Sequence, residues 1–385
     1  MDERVNSPLA AENGSVGYID CDTHVWETEK TWAYLRPEEE QFRPAVAEVA
    51  SGTDVPYRFW LVQDQRMVRN DGASPHQTDQ HRTLFPEGTK GLDDIDARLR
   101  EMDHLGVDVQ VLFPSVWLNV GIRDPIIDVA LKRSHNRWLA EATRAAGGRL
   151  RWMINVPTGD LDAACEELEF GAENGAAGVF LLGEVNGRHV AHPTLFQLYG
   201  KAEQLGLVIG FHVGVSNSDV LHRYPGTQKL WEIVAPCTYA FYSLLVNGVP
   251  QRFPALKWGF FEAGAGWVPW MLQEAARLDP SGGRSTRDWR NESDVLKRNN
   301  MYVACQIDDD LPYLVTRLGS ENLVCGSDWA HLDIGADVAA HRRLEARDDL
   351  DQSVRRRIVD TNARALYGID DAFRPSDTKD VARVP

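Results

Sequence analysis

Long apolar stretches and paired cysteines are both missing from this sequence, and each absence excludes a class of protein. No segment approaches the roughly 18 consecutive apolar residues of a membrane helix. The first residues lack the basic start and apolar middle of a signal peptide. Five cysteines occur in 385 residues, widely spaced and without a C-x-x-C pair. We therefore expect a cytoplasmic protein with reduced thiols and no membrane partner.

The sequence also has fewer basic residues than acidic ones. Lys and Arg total 41 against 57 for Asp and Glu, which gives a formal net charge of −16. Nucleic acids and anionic membrane surfaces both attract cationic proteins. This balance argues against a nucleic-acid partner. The hydrophobic and charged fractions, 43% and 25%, are those of an ordinary globular protein.

What the sequence does contain is an alternation of short apolar segments and longer amphipathic ones. Strands are predicted over 18–22, 108–113, 151–156, 178–182, 207–212, 256–262, 301–306 and 322–327. Helices are predicted over 93–104, 125–146, 160–174, 194–205, within 231–253, and over 268–278, 309–318 and 351–367. Eight such units predict a closed (β/α)₈ TIM barrel. An open doubly wound sheet would normally carry a glycine-rich turn after the first strand, where this chain has Asp22-Thr23-His24.

The predicted domain organisation has one barrel and three additions. Residues 1–17 are interpreted as a flexible N-terminal arm, 18–370 as the barrel and 371–385 as a C-terminal tail. An insertion of about seventy residues, 25–92, is far longer than an ordinary connection. Within it, 57–62 and 66–69 are interpreted as a hairpin. Because this insertion leaves the carboxyl end of a barrel strand, we expect it to form a lid over the active-site face.

Several predicted strands end in residues that can bind metals. The first ends in Asp22 and His24, the fifth in His212, the sixth in Glu262 and the eighth in Asp328. The carboxyl ends of barrel strands open onto one rim, so these side chains should converge. Mixed imidazole and carboxylate ligands suit Zn²⁺, Mn²⁺ or Fe²⁺. The sequence therefore predicts one or two divalent metal ions at this rim.

Three motifs resemble signatures of the amidohydrolase superfamily, and more narrowly of its amidohydrolase-2 branch. They are D-x-D-x-H-x-x-E at 20–27, F-H-V-G at 211–214 and G-S-D-W-A-H at 326–331, supported by segments 98–108, 136–140 and 362–367. That branch includes aminocarboxymuconate-semialdehyde and resorcylate decarboxylases. The resemblance implies that Asp22, His24 and His212 are metal ligands and that Asp328 is a ligand or base. The ion would activate water or polarise a carboxylate or carbonyl.

The sixth strand departs from the pattern of the branch. The decarboxylases usually carry a histidine in a G-H-x-G-like pattern, whereas this chain has F-E-A-G-A-G-W at 261–267, which places Glu262 there. The fourth strand ends without a lysine, so no carbamylated-lysine bridge is expected. The E-x-G-x-G-W segment is similar to that of non-heme di-iron or iron–manganese hydroxylases of this fold. A helix-capping role for Glu262 remains the alternative.

Further candidates complete the predicted site. Asp328, Glu262 and His331 are the catalytic candidates, and a second metal or second coordination layer could draw on Glu27, His76, His81 and His331. Arg223, Trp26 and Trp267 are the candidates for substrate binding. His135, inside the second predicted helix, is interpreted as a packing residue, and Asp20 as a hydrogen-bonding residue of the first strand.

Three functions follow from these residues. The main interpretation is a dinuclear iron or iron–manganese monooxygenase that uses O₂ to hydroxylate a small or medium carboxylic acid. The alternatives are a mononuclear-metal decarboxylase or hydrolase of such an acid, and a non-catalytic metal-binding partner subunit. Members of the branch are commonly oligomers, so the resemblance also implies a homo- or hetero-oligomer.

Overall fold

The structure, a computed structural model, describes residues 17–49, 57–62, 65–66, 85–118, 121–215, 229–277, 294–331, 335–371 and 373. Its strands, numbered along the chain, are β1 (Tyr18–Val25), β2 (Ala45–Val49), β3 (Tyr57–Val62), β4 (Gln65–Arg66), β5 (Val107–Pro114), β6 (Leu150–Asn155), β7 (Ala176–Leu182), β8 (Glu184–Val185), β9 (Arg188–His189), β10 (Val208–His212), β11 (Trp258–Phe261), β12 (Met301–Cys305) and β13 (Leu323–Cys325). Eight of these strands form one sheet, in the order β1-β5-β6-β7-β10-β11-β12-β13. Every pairing between them is parallel.

The first and last strands of this sheet meet, which closes the barrel. The backbone N–H of Asp328 donates to Asp22 O at 2.9 Å, and that of His24 donates to Trp329 O at 2.8 Å. Thr23 and Trp329 form an isolated parallel bridge. The predicted (β/α)₈ TIM barrel is therefore confirmed, and its closing seam runs through the predicted first-strand ligands.

Helices connect the strands. They are α1 (Ile95–Leu105), α2 (Pro125–Thr143), α3 (Leu161–Glu173), α4 (Phe196–Leu205), α5 (Ala235–Val246), α6 (Val249–Arg252), α7 (Val268–Arg277), α8 (Val295–Arg298), α9 (Leu311–Leu318), α10 (Ala340–Glu345), α11 (Gln352–Arg356) and α12 (Asn362–Tyr367). Aspartates start several of them: the side chains of Asp94, Asp124 and Asp160 accept from backbone N–H groups of the first turn. Such caps satisfy donors that have no partner inside the helix.

Two predicted helices are interrupted. The segment predicted within 231–253 divides at Gly248, whose φ of 67° ends α5 and starts α6. That left-handed conformation costs glycine little and most other residues more. The segment predicted over 351–367 contains a π-helical turn, Arg357–Thr361, between α11 and α12. Apolar periodicity continues across the π-helical turn, which is why the sequence did not indicate it, whereas the division at Gly248 coincides with an Asn-Gly turn signal.

The insertion after β1 carries a small antiparallel sheet of its own. Strand β3 pairs with β2 on one side and β4 on the other. The predicted hairpin is present where the structure describes it, whereas β2 was not predicted. Three buried tryptophans fix this region to the barrel: Trp32 lies edge-on to Trp60 at 5.8 Å and to Trp117 at 6.4 Å. The proposed role as a lid stays a prediction, as do the arm and tail, most of which lie outside the described residues.

Two apolar layers form the core. Side chains such as Ile19, Val109 and Met153 belong to the cluster inside the barrel. Phe211 and Leu244 belong to the larger cluster, which packs strands against helices. All five cysteines are free thiols. Among the described residues, no helix combines the length and the apolar character needed to cross a bilayer.

Candidate metal centre

All five predicted strand-end ligands meet at the carboxyl mouth of the barrel. His212 Nε2 lies 3.1 Å from Asp22 Oδ1 and 3.6 Å from Glu262 Oε2. His24 Nε2 lies 3.2 Å from Asp328 Oδ1 and 3.5 Å from Asp22 Oδ1. These side chains come from four different strands or from residues shortly after them. Their roles as ligands stay predictions, but the convergence on which those roles depend is present.

The side chains form two overlapping groups with ligand geometry. One contains Asp22, His24 and His212, and the other contains His24, Glu262, Asp328 and His331. Within each group the potential ligand atoms lie within 4.8 Å of one another. His24 belongs to both, so the arrangement can hold one ion with several donors or two ions that share a neighbourhood.

The backbone turns sharply where two of the carboxylates stand. Glu262 has φ 62° and Asp328 has φ 54°, both in the left-handed region. Non-glycine residues seldom adopt this conformation, and it occurs preferentially at functional sites. Here it comes directly after β11 and shortly after β13, where the chain leaves the barrel. Asp22 and His24 need no such turn, because residues two apart on a strand share a face.

His24 supplies the best test of whether a cation fits. It is fully buried, and neither ring nitrogen makes a hydrogen bond to any residue that the structure describes. Burial, reinforced by His331, holds the pKa of His24 well below its usual range, so the ring is neutral. A neutral imidazole facing carboxylates is the form that binds metals. The residues present therefore fit a divalent cation.

A hydrogen bond to the backbone fixes the orientation of the His212 ring. Its Nδ1–H donates to Val213 O at 2.8 Å, which leaves Nε2 facing the carboxylates. A hydrogen bond of this kind fixes the tautomer of a metal-binding histidine. Burial opposes protonation, but Asp22 and Glu262 outweigh it and raise the pKa of His212 to about 9. The two carboxylates thus create a site that attracts positive charge.

His331, predicted as a spare donor, lies within the cluster. Its Nδ1 is 2.8 Å from Asp328 Oδ1, and its Nε2 is 2.9 Å from Ser115 Oγ. Its ring stacks on His24 with centroids 3.7 Å apart. Ser115, which follows β5, was not singled out from the sequence, because a lone serine after a strand carries no signal.

Asp20 supports the cluster without joining it. Its carboxylate accepts from the backbone N–H of Ser327 at 2.9 Å and also from the Ser327 hydroxyl. Burial raises the pKa of Asp20. These bonds tie β1 to the segment that carries Asp328. The interpretation of Asp20 as a hydrogen-bonding residue agrees with this arrangement.

Glu27 and His135 contact each other, away from the cluster. Glu27 Oε1 lies 3.0 Å from His135 Nε2, and Oε2 accepts from the backbone N–H of Val116 at 3.0 Å. Both carboxylate oxygens of Glu27 are therefore occupied, and Glu27 is in neither ligand group. Interpreting His135 as a packing residue was too simple, because both of its ring nitrogens make polar contacts. The sequence could not indicate this pair, since it joins a loop to a helix about a hundred residues away.

The predicted substrate-binding residues differ in their surroundings. Trp26 borders the cluster: its indole N–H donates to Ala330 O at 3.0 Å, and its ring lies edge-on to His331 at 5.6 Å. Trp267 instead donates to Gly264 O at 2.7 Å and packs on Phe241 of the helix layer. Its contacts are those of a packing residue. Arg223, His76 and His81 lie outside the described residues, so their predicted roles stay predictions.

Solved structures of the same fold are similar over most of this chain. An amidohydrolase from Mycobacterium avium subsp. paratuberculosis K-10 is 22% identical with a TM-score of 0.71, covering 93% of this chain and 100% of that one. A dihydroxybenzoic acid decarboxylase from Polaromonas sp. JS666, solved with bound manganese and the inhibitor 2-nitroresorcinol, is 18% identical with a TM-score of 0.64. It covers 92% of this chain and 98% of its own. At these identities the likeness establishes the fold.

Sequence comparison establishes more. A curated relative, the 2-amino-3-carboxymuconate-6-semialdehyde decarboxylase of Dictyostelium discoideum, is 23% identical over 306 residues, 74% of this chain and 80% of the relative. The model of the amidohydrolase family matches residues 19–369, which include the whole ligand cluster. The resemblance read from the three motifs is thereby confirmed, and the protein belongs to the amidohydrolase family.

Proposed function

We propose that this protein is a divalent-metal-dependent decarboxylase of a small carboxylic acid. The observation that carries the proposal is the buried mouth cluster, in which His24 has no hydrogen-bond partner among the described residues while carboxylates lie 3.2 and 3.5 Å from its Nε2. The relatives named above support the reaction class, since two of them are decarboxylases by name. Manganese or zinc suits this ligand set.

Each residue of the cluster has a part in this proposal. Asp22, His24, His212 and Asp328 would hold the ion, and His212 is oriented for this by its bond to Val213 O. A divalent ion held there would bind the substrate's carboxylate and stabilise negative charge beside it. Decarboxylation breaks a C–C bond, leaves the electron pair on carbon and requires a proton in place of the departing CO₂.

His331 is the residue placed to move that proton. It stands between Asp328 and Ser115, 2.8 and 2.9 Å from their side-chain oxygens. Proton transfer by a positioned imidazole contributes about 10²–10⁴-fold to a rate. Glu262 occupies the strand-six position where histidine is usual in related decarboxylases, so His331 supplies the imidazole that this position lacks.

A second candidate function rests on a different observation. His24, Glu262, Asp328 and His331 form a four-residue group next to the three-residue one, and two carboxylates in one group suit iron or manganese. Two ions bound together would favour the O₂-dependent hydroxylase. The number of metals per chain and the need for O₂ separate the two functions.

The test is turnover under two atmospheres. Protein stripped by a chelator and reloaded with Mn²⁺, Zn²⁺ or Fe²⁺ is incubated with hydroxybenzoates and unsaturated dicarboxylic acids, in air and under argon. We expect one CO₂ per product at equal rates in both atmospheres, and no turnover after chelation. An oxygenated product formed only in air would support the second candidate instead. No CO₂ from any acid would contradict the proposal.

A matched variant tests the proton donor. His331→Gln keeps a polar side chain beside Ser115, and we expect it to retain metal while kcat falls about 100-fold. His189→Gln, at an exposed histidine, is the control and should leave kcat unchanged. Unchanged kcat in His331→Gln would remove this residue from the reaction.

A further inference from the structure

A cavity of about 80 Å³ lies beside the metal centre, at the carboxyl ends of neighbouring strands. Trp117, Asn155, Phe180 and Leu182 line it. Phe180 and Leu182 lie on β7, and the Phe180 ring stands 6.3 Å from that of His212. Phe180 therefore lines the cavity and is also a neighbour of His212, so the cavity lies one side chain away from the candidate ligands.

Asn155 is the unusual group in this lining. It ends β6, is 1% exposed, and its Oδ1 has no hydrogen-bond partner in the part of the chain that the structure describes. Its position is tightly fixed, because Asn136 accepts from the backbone N–H of Asn155 at 2.9 Å and donates to its carbonyl at 2.8 Å. A buried carbonyl oxygen without a partner is costly, which points to a ligand that supplies the missing donor.

The orientation of the Asn155 amide follows from its neighbour. Asn155 Nδ2 lies 2.9 Å from His135 Nδ1, and His135 Nε2 lies 3.0 Å from Glu27 Oε1. A carboxylate only accepts, so it requires Nε2 of His135 to carry the hydrogen. In the neutral ring Nδ1 is then an acceptor. An acceptor at Nδ1 requires the NH₂ of Asn155, and this directs Oδ1 away from His135.

We propose that Asn155 is a specificity-determining residue that selects substrates carrying a hydroxyl or N–H donor. Glu27 and His135 are positioning residues that set the polarity of the Asn155 amide without contacting the cavity themselves. The inference deepens the proposed function, on which it rests for the site that the substrate occupies. The favoured substrate is a small acid whose carboxylate faces the metal centre and whose donor reaches Asn155.

Glu27→Gln gives the sharpest consequence of this arrangement. The glutamine oxygen can keep the bond from the backbone N–H of Val116, which places its NH₂ towards His135 Nε2. His135 must then accept at Nε2 and carry its hydrogen at Nδ1. Asn155 must turn its oxygen to His135 and its NH₂ to the cavity. A change that touches neither the cavity nor the metal ligands is thus expected to reverse which ligands the cavity prefers.

The first experiment reads the tautomer directly and requires no activity. Nitrogen-15 NMR of histidine-labelled protein, with His135 assigned by comparison with His135→Gln, measures which ring nitrogen carries the hydrogen. We expect hydrogen on Nε2 in the wild-type protein and on Nδ1 in Glu27→Gln. Hydrogen on both nitrogens, or on Nδ1 in the wild type, would overturn the proposal.

The second experiment measures binding by calorimetry to metal-loaded protein. The probes are 3- and 4-hydroxybenzoate and the corresponding methoxybenzoates, which keep the ring and carboxylate but lack the donor. We expect the wild type to bind the better hydroxy acid about tenfold more tightly than its ether. Glu27→Gln should prefer the ether, and Asn155→Leu should bind both alike. Asn247→Leu, at the residue that follows α5 and does not line the cavity, should behave as wild type.

The outcomes separate the inference from the proposed function. The binding assay needs no turnover, so a hydroxyl preference that depends on Asn155 supports the inference even where no CO₂ is released. Equal binding of each hydroxy acid and its ether to the wild type, or no binding of any probe, overturns it. So does a hydroxyl preference that persists in Asn155→Leu.

Discussion

At the scale of single residues, the site depends on side chains that are buried and incompletely satisfied. His24 makes no hydrogen bond to the described residues, while His212 has one nitrogen committed to Val213 O and the other facing carboxylates. Interiors rarely retain such groups without a partner. Together they form a site that a divalent cation would complete.

Removal of one imidazole should therefore empty the site. We expect His212→Ala to lose most of its bound metal because a ligand and its orienting bond disappear together. The barrel should stay folded, since the change removes no part of the strand pairing. Elemental analysis and circular dichroism measure the two effects. His189→Ala should keep full occupancy, and full occupancy in His212→Ala would refute the ligand assignment.

The convergence of the strand-end residues could be predicted because each follows an apolar run, and apolar runs end at the mouth of a barrel. The pair of Glu27 and His135 could not be predicted in this way. Its members lie in a loop and a helix, and they meet only because α2 packs against the entry of the insertion. In the sequence, His135 is one of several polar residues of a predicted helix, and nothing indicates which residue it contacts.

At the scale of elements, helix α2 carries a run of buried polar residues that organises its surroundings. Ser134 donates to Thr31 O, and Arg137 pairs with Glu167 of α3. Asn136 bonds to both backbone groups of Asn155 and also donates to Glu167. This helix therefore fixes the end of β6 by specific bonds as well as by apolar packing.

Asn136→Asp tests that function of the helix. The carboxylate keeps the bond from the Asn155 N–H but loses both donors and meets the Asn155 carbonyl and Glu167 instead. We expect the free energy of unfolding to fall by about 2–4 kcal/mol, because buried acceptors are left without donors. Asn247→Asp, the same change at an exposed helix end with one bond to Ser243 O, should cost about 1 kcal/mol or less. Urea unfolding compares the two, and similar losses would contradict this account.

At the scale of the whole molecule, the barrel closes through a seam that is also part of the site. Asp22 and His24 bond to the chain around Asp328 and Trp329, and the Arg98 guanidinium lies 3.4 Å from the Trp329 ring centre. Barrel closure therefore brings the two ends of the cluster together. The fold class was predictable from eight repeated units, but which side chains share the seam depends on the register that closure imposes.

Gly326 allows the two sides of the seam to approach. A Cβ there would lie 2.4 Å from Asp22 Cβ and 3.2 Å from Asp22 N. Gly326→Ala must displace the β1 backbone, and we expect a loss of about 1–3 kcal/mol in unfolding free energy, together with weaker metal binding. Gly200→Ala, in helix α4, where a Cβ would meet the Phe253 ring at an ordinary contact distance of 3.7 Å, should be neutral or stabilise by about 0.5–1 kcal/mol. Thermal melts and metal titrations measure both, and unchanged metal affinity in Gly326→Ala would contradict the coupling.

The seam also sets the earliest stage of synthesis at which the whole cluster could bind a metal. During translation Asp328 and His331 are made some three hundred residues after Asp22 and His24. At ~5–20 residues per second, this separation corresponds to about 15–60 s of synthesis. A polypeptide that ends before Asp328 lacks part of the cluster, so we expect it to retain no ion. An ion held by the whole cluster would therefore indicate a chain that has been synthesised at least through His331.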